Sequence, residues 1–206
     1  MIRQGWLAGA LAVMTLTLAC DRSPTAVTTL PQKPASTLPA GPTTQELLAG
    51  PYKKVSLTPL PMSAQVPQSW EVKMPEGTDF TFLEGPGPDG QMIQISLELG
   101  TPQTPEKLKN ILTHAQRDAD NDKQTYRLFR IKNVGDIQVI EQQKVFSGDV
   151  NGAQKQLIDW KLTYFVHRDI DFVPCVVDVL GLTSERFEMD KELLQKIFDS
   201  ITDQPL

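Results

Sequence analysis

From Trp70 onward, apolar residues recur at every second position. Trp70, Val72 and Met74, then Phe80 and Phe82, then Ile93, Ile95, Leu97 and Leu99 form three such runs. A period of two sends alternate side chains to opposite faces of a strand, so these runs predict half-buried β-strands. Between the last two lies "GPGPDG", Gly85 to Gly90, whose prolines and Asp89-Gly90 pair predict a hairpin turn. The period then changes. In "TPEKLKNILTHAQRDADNDK" the apolar positions Leu108, Ile111, Leu112, Ala115 and Ala119 mark one face of a helix. Thr104 supplies a cap, Pro105 suits the first helical position, and Glu106 favours the positive end of the helix dipole.

Two hairpins follow whose register can be read directly. Asn151-Gly152 favours a two-residue type I′ turn, which sets Val145 opposite Ile158, Phe146 opposite Leu157 and Lys144 opposite Asp159. A second turn at Asp169-Ile170 pairs Val166 with Val173, Tyr164 with Cys175, Leu162 with Val177 and Trp160 with Val179. One face is then apolar throughout, and on the other Lys161 faces Asp178. A slip of one residue would scatter both agreements. The chain closes with "FEMDKELLQKIFDSI", where Asp190 reads as a cap and Leu193, Leu194, Ile197, Phe198 and Ile201 form an apolar stripe. The expected fold is α+β: an antiparallel sheet of about six or seven strands flanked by helices.

The N-terminal third is organised differently. Arg3 supplies a positive charge and Trp6 to Leu18 an apolar run, shorter than the roughly 20 residues of a membrane-spanning helix. Residues 1–19 therefore read as a signal peptide. Residues 20–67 are rich in Pro, Thr, Ser and Ala and read as an extended tether, with residues 68–203 as the folded domain. Within the tether, Glu46 to Val55 reads either as a short helical turn or as a first strand. At about 3.1 Å per residue in polyproline II geometry, the tether would reach on the order of 100 Å.

Composition adds limits. The 206 residues suffice for one good core, and the net charge of −5 becomes more negative once the segment holding Arg3 is removed. That argues against a nucleic-acid partner and against electrostatic attraction to anionic lipid. The chain has two cysteines, Cys20 and Cys175. If Cys20 is modified, Cys175 has no intramolecular partner and the domain must be held by its core.

Candidate chemistry in the domain is sparse. The G-x-G-x-x-G match at Gly85–Gly90 is followed by a strand, whereas a dinucleotide site needs a helix there. Asp118, Asp120 and Asp122 imitate a calcium loop, but Lys123 stands in place of the turning glycine and Phe129 in place of the bidentate glutamate. His114 and Asp118 lie one helical turn apart without a third ligand, so they read as a solvated pair. A thiol-dependent hydrolase would use Cys175, yet the register puts His167 on the opposite face of the sheet. The expectation is that the protein is not an enzyme and has no cofactor, metal or catalytic residue.

The stretch "TLAC" resembles the lipobox of bacterial lipoproteins, with Leu18 and Ala19 ahead of Cys20 and Thr17 where that family most often carries Leu. The resemblance implies a lipidated Cys20 with cleavage before it. Each buried methylene is worth about 0.8 kcal/mol, so two or more acyl chains hold firmly. Asp21 resembles the enterobacterial signal for retention in the inner membrane. The domain's element order, with Pro75 to Phe82 in the place of a "P…GF.F" segment and Ile197 to Ile201 in the place of a closing "I…SF" motif with Ile for Phe, resembles the α/β/α sandwich of PsbP-type photosystem subunits, a Ran-binding import factor and several bacterial lipoproteins. That resemblance implies a noncatalytic module, tethered in the cell envelope, that binds another envelope protein or a small apolar ligand. The other readings are the Cys175 hydrolase and a purely structural scaffold.

Overall fold

A computed structural model describes residues 41–77 and 81–203. Three helices and ten strands follow in the order α1 (Thr44–Ala49), β1 (Tyr52–Ser56), β2 (Met62–Pro67), β3 (Glu71–Lys73), β4 (Thr81–Pro86), β5 (Met92–Leu99), α2 (Pro105–Asn121), β6 (Tyr126–Val134), β7 (Ile137–Val150), β8 (Ala153–Arg168), β9 (Asp171–Thr183), α3 (Ser184–Asp199) and β10 (Thr202–Asp203). Seven strands form one antiparallel sheet in the order β3-β4-β5-β9-β8-β7-β6, and three form a second, β1-β2-β10. The fold is the expected α+β arrangement, an antiparallel sheet flanked by helices.

Both hairpin registers are present pair for pair. Val145 meets Ile158, Phe146 meets Leu157 and Lys144 meets Asp159; Asn151 and Gly152 both take positive φ, 55° and 80°, as the type I′ turn requires. Trp160, Leu162, Tyr164 and Val166 face Val179, Val177, Cys175 and Val173, and Lys161 faces Asp178. One face of the long strands is thus continuously apolar, and it supplies the main core. Helix α3 and the three-stranded sheet cover that face: Leu193, Leu194, Ile197 and Phe198 pack there with Leu57, Met62, Ala64 and Val66. Helix α2 covers part of the other face, where Leu108 and Ile111 meet Ile140 and Phe165.

Three expectations are corrected. The tether does not extend to Pro67, because α1, β1 and β2 occupy its second half. Thr43 caps α1 reciprocally: its hydroxyl accepts from Glu46 N–H at 3.2 Å and its own N–H donates to Glu46 Oε2 at 2.7 Å. Pro51, Pro59, Pro61 and Pro67 sit between strands or at their ends, so the proline content that suggested a spacer does not interrupt pairing. Asp190 is not a cap. Strand β9 runs straight into α3, Thr183 accepts the Arg186 N–H at 3.3 Å as the cap, and Asp190 lies buried in the helix interior beside Arg186. Phe82 does not share the inward row of Trp70 either. Gly85 must face Trp70, since a Cβ there would lie 2.2 Å from the indole Cδ1, and period two then turns Leu83 and Thr81 inward and Phe82 outward. Phe80 lies outside the described residues.

Candidate functional site

Helix α3 lies over the middle of the large sheet and leaves the β6–β7 side of the inner face uncovered. A cleft of about 760 Å³ opens there, between the outer flank of α3 and the strands. Trp160 and Phe187 supply its aromatic wall and Gln143 its polar contribution from the sheet. Lys191, Glu192, Gln195, Lys196 and Asp199 line it from the helix, and Arg127 from β6.

Trp160 is held from three sides. Its ring meets Phe198 edge-on at 5.0 Å and Phe187 at 5.7 Å, and its indole N–H donates to Glu141 Oε1 at 3.2 Å. Glu141 is fully buried on the inner face of β7. Its Oε2 accepts from Arg130 Nη2 at 2.7 Å and Lys132 Nζ at 2.8 Å, both on the neighbouring β6. Burial alone would raise this carboxyl, but the hydrogen bonds and charges of Lys132 and Arg130 outweigh it and hold Glu141 below the usual carboxylate range. The sheet therefore fixes the indole through a charged relay that ends at the surface.

Most of the rim charges are engaged within the protein. Arg127 bonds Glu188 at 2.7 Å while its guanidinium lies 4.9 Å over the Phe187 ring, and Lys191 also binds Glu188. Lys196 donates to the Leu48 carbonyl at 2.6 Å and sits 4.0 Å over the Tyr52 ring. Gln143 differs. It is 9% exposed, and its side-chain amide makes no hydrogen bond to another described residue. Chemically, the cleft offers an aromatic floor, a nearly neutral rim and one amide with its hydrogen bonds still to make.

Other predicted residues fall elsewhere. Cys175 is fully buried, with Sγ 3.7 Å from the Val173 carbonyl, and burial pushes its thiol up to about 12. His167 packs against Phe172 at 5.1 Å on the opposite face, so the pair is not brought together. His114 meets Arg117 Nη2 at 2.9 Å rather than Asp118, and no group of three metal-ligating side chains exists among the described residues. Cys20 and Asp21 lie outside the described residues. No helix among the described residues is long and apolar enough to cross a membrane. The closing "I…SF" stretch has a structural role: Ser200 Oγ accepts from Gln65 N–H at 2.8 Å and donates to the Ile197 carbonyl at 2.6 Å, fastening the end of α3 to β2. Sequence reading missed the cleft. A buried Glu141 and Gln143 on an otherwise apolar strand face were the available signal, visible once the register of β7 against β8 was set.

No family model matches this chain, and no curated protein matches it. Among solved structures, LpqN, described as involved in cell envelope biogenesis of Mycobacterium tuberculosis, is similar with 14% identity over 81% of this chain and 99% of that one, at a TM-score of 0.48. A protein of Bacteroides thetaiotaomicron VPI-5482 is similar with 11% identity over 70% of this chain and 45% of that one, at a TM-score of 0.34. Neither likeness carries an inference for this chain.

Proposed function

We propose that this chain is a lipid-anchored protein of the bacterial cell envelope whose folded body binds a small apolar ligand noncatalytically in the cleft beside α3. The anchor reading rests on the short apolar leader and on "TLAC" ending at Cys20. Asp21 supports retention in the inner membrane. Changing Cys20 to Ser is expected to release the protein from membranes into the soluble fraction, and full retention would overturn the anchor. Density fractionation that recovered the protein wholly in an outer membrane would overturn the assignment to the inner one.

The binding reading is carried by Gln143, a residue 9% exposed whose amide has no partner among the described residues and lines an aromatic-walled cleft of ligand size. A ligand would lay an apolar or ring surface on Trp160 and Phe187 and exchange hydrogen bonds with Gln143. The paired rim favours a neutral ligand over a highly charged one. The noncatalytic character accords with the PsbP-like element order and with a thiol that is buried on the face of the sheet opposite His167. The test compares solvent extracts of the full chain, isolated from its native membranes, with extracts of Gln143→Arg, by mass spectrometry. A small molecule enriched at least about tenfold in the unaltered protein is expected, roughly the cost of one buried hydrogen-bonding group lost. Equal extracts would overturn the reading.

A further inference from the structure

In the large sheet, β5 and β9 run together over a short stretch only. Their ladder joins Ser96–Leu99 to Cys175–Asp178 and, on the Asp178 side, goes no further. Beyond it, Met92 to Ile95 stay paired to β4, while Val179 and Leu182 stay paired to β8, so the two ladders diverge. Gly181, at φ 63°, carries β9 through an irregularity in its pairing, and Asp159 Oδ1 accepts the Gly181 N–H at 2.6 Å. The divergence leaves a notch of about 210 Å³ bounded by Phe82, Met92, Gln94, Leu180 and Leu182. Asp178 stands at its apex, in the last pair of the shared ladder.

Asp178 is only 9% exposed, and its Oδ1 has no hydrogen-bond partner. Ser96 is close, but its hydroxyl donates to the Asp178 backbone carbonyl, at 3.2 Å, and not to the carboxylate. The charged groups around it are Lys161 and Asp159 on β8, Lys144 on β7 and Glu98 on β5. Glu84 on β4 is already held by Lys73 at 2.6 Å. Lys161, the cross-strand neighbour, forms no ion pair with Asp178, and α2 packs elsewhere on this face, against Ile140, Phe165 and Phe172. A buried carboxylate without a partner is costly, and such a group at the apex of an opening is completed by something that enters it. A hydroxyl would satisfy the oxygen yet add nothing to the positive charge that Lys161 and Lys144 set against Glu98 and Asp159. A cation answers both. The notch is smaller than the roughly 300–1,000 Å³ of a drug-sized pocket, so it has room for a group the size of a side chain. Met92, Leu180 and Leu182 give it an apolar side, which suits a methylene stem.

We propose that this notch is a second binding site, one that takes an alkylammonium group, with the ammonium on Asp178 and the stem along Met92 and Leu180. The group comes either from a free amine or from a lysine side chain of another protein. The full chain is titrated with n-butylamine, with Nα-acetyl-lysine amide and with n-butanol, and followed by amide chemical shifts. Saturable shifts at Met92–Ser96 and Asp178–Leu182 are expected with an amine, at least about tenfold tighter than with butanol, the difference one charge-assisted hydrogen bond makes. Binding by butylamine alone supports a free amine, and binding by the lysine derivative supports a protein partner. Butanol binding as well as the amines, or no saturable shift with either amine, would overturn the proposal.

Asp178→Asn is expected to abolish amine binding, and unchanged affinity in that variant would overturn the site. Leu180→Trp, at a side chain 61% exposed, closes the mouth without touching the core and serves if the first variant fails to fold; unchanged affinity there is equally adverse. Burial, the largest influence, pushes the Asp178 carboxyl up to about 6, with Lys161 opposing and Asp159 and Glu98 assisting. Amine affinity is therefore expected to fall roughly tenfold between about pH 7.5 and about pH 5, as the carboxylate takes up a proton. A pH-independent affinity would contradict the role given to Asp178.

Discussion

The two faces of the seven-stranded sheet are made by the same strands and differ in what covers them. On the inner face Trp160, Leu162, Tyr164, Cys175, Val177 and Val179 are all within 2% of full burial, and the fully buried carboxylate among them, Glu141, is bonded by Arg130, Lys132 and Trp160. On the outer face α2 packs against Ile140 and Phe165, but Leu180 and Met92 remain 61% and 59% exposed and Asp178 is buried without a partner. Cover decides the difference. Where a helix and a second sheet close over the strands, the buried carboxylate of Glu141 is answered within the protein, although single oxygens of Thr81 and Asp190 are not; where cover stops, an unanswered carboxylate can be left for a ligand. The cleft beside α3 belongs to the same logic, because it lies at the margin where inner cover ends.

Disturbing the inner face should cost far more than disturbing the outer one. Trp160→Ala is expected to lower unfolding free energy by about 3–5 kcal/mol, since it opens a large cavity and strips Glu141 of its indole donor, and denaturant titration would measure it. Replacing both Arg130 and Lys132 with Ala should cost about 3 kcal/mol, because a buried carboxylate is left uncompensated. Glu141 is held below its usual range when folded, so its contribution is present above the unfolded value and is lost as pH falls through the folded one. The double variant should lose that acid dependence, which thermal melts at a series of acid pH values would show.

Asp178 carries the opposite sign. Its folded carboxyl titrates near 6 against an ordinary 3.8, so the stability linked to its protonated form is complete below the ordinary value and disappears as pH rises through about 6. Asp178→Asn should therefore raise the melting temperature by roughly 2–4 °C near neutral pH and lose that advantage at about pH 4, as judged by calorimetry. Leu180→Ser, on the open outer face, should change stability by less than about 0.5 kcal/mol. If it cost as much as a core substitution, the contrast between the faces would fail.

The hairpin registers of β7, β8 and β9 were legible up to the irregularity beyond Trp160 and Val179 because each side chain there reports on its own strand partner. Alternation, Asn151-Gly152 and the Lys161–Asp178 match all select one register. The helix α2 face was legible for the same local reason. Around Thr43–Pro67, by contrast, proline density outweighed a true capping box, since α1, β1 and β2 are short and stabilised mainly by what they pack against. The two binding candidates differ in this respect. The register of β7 against β8 already sets Glu141 and Gln143 in an apolar row, opposite Leu162 and Trp160, whereas Asp178 looks paired with Lys161 until the position of β5 is known.

By itself the sequence determined the class of fold, the long strand registers, both major helices and the burial of Cys175, because periodicity and turn chemistry act between residues near in the chain. Only the tertiary structure decided that the Pro-rich segment contributes a second sheet, where α3 stops covering the strands, and that β5 parts from β9 beside Asp178. Those features depend on contacts between segments up to about 140 residues apart, as where Ser63 meets Thr202, and chain entropy leaves no local mark of which distant segments will meet.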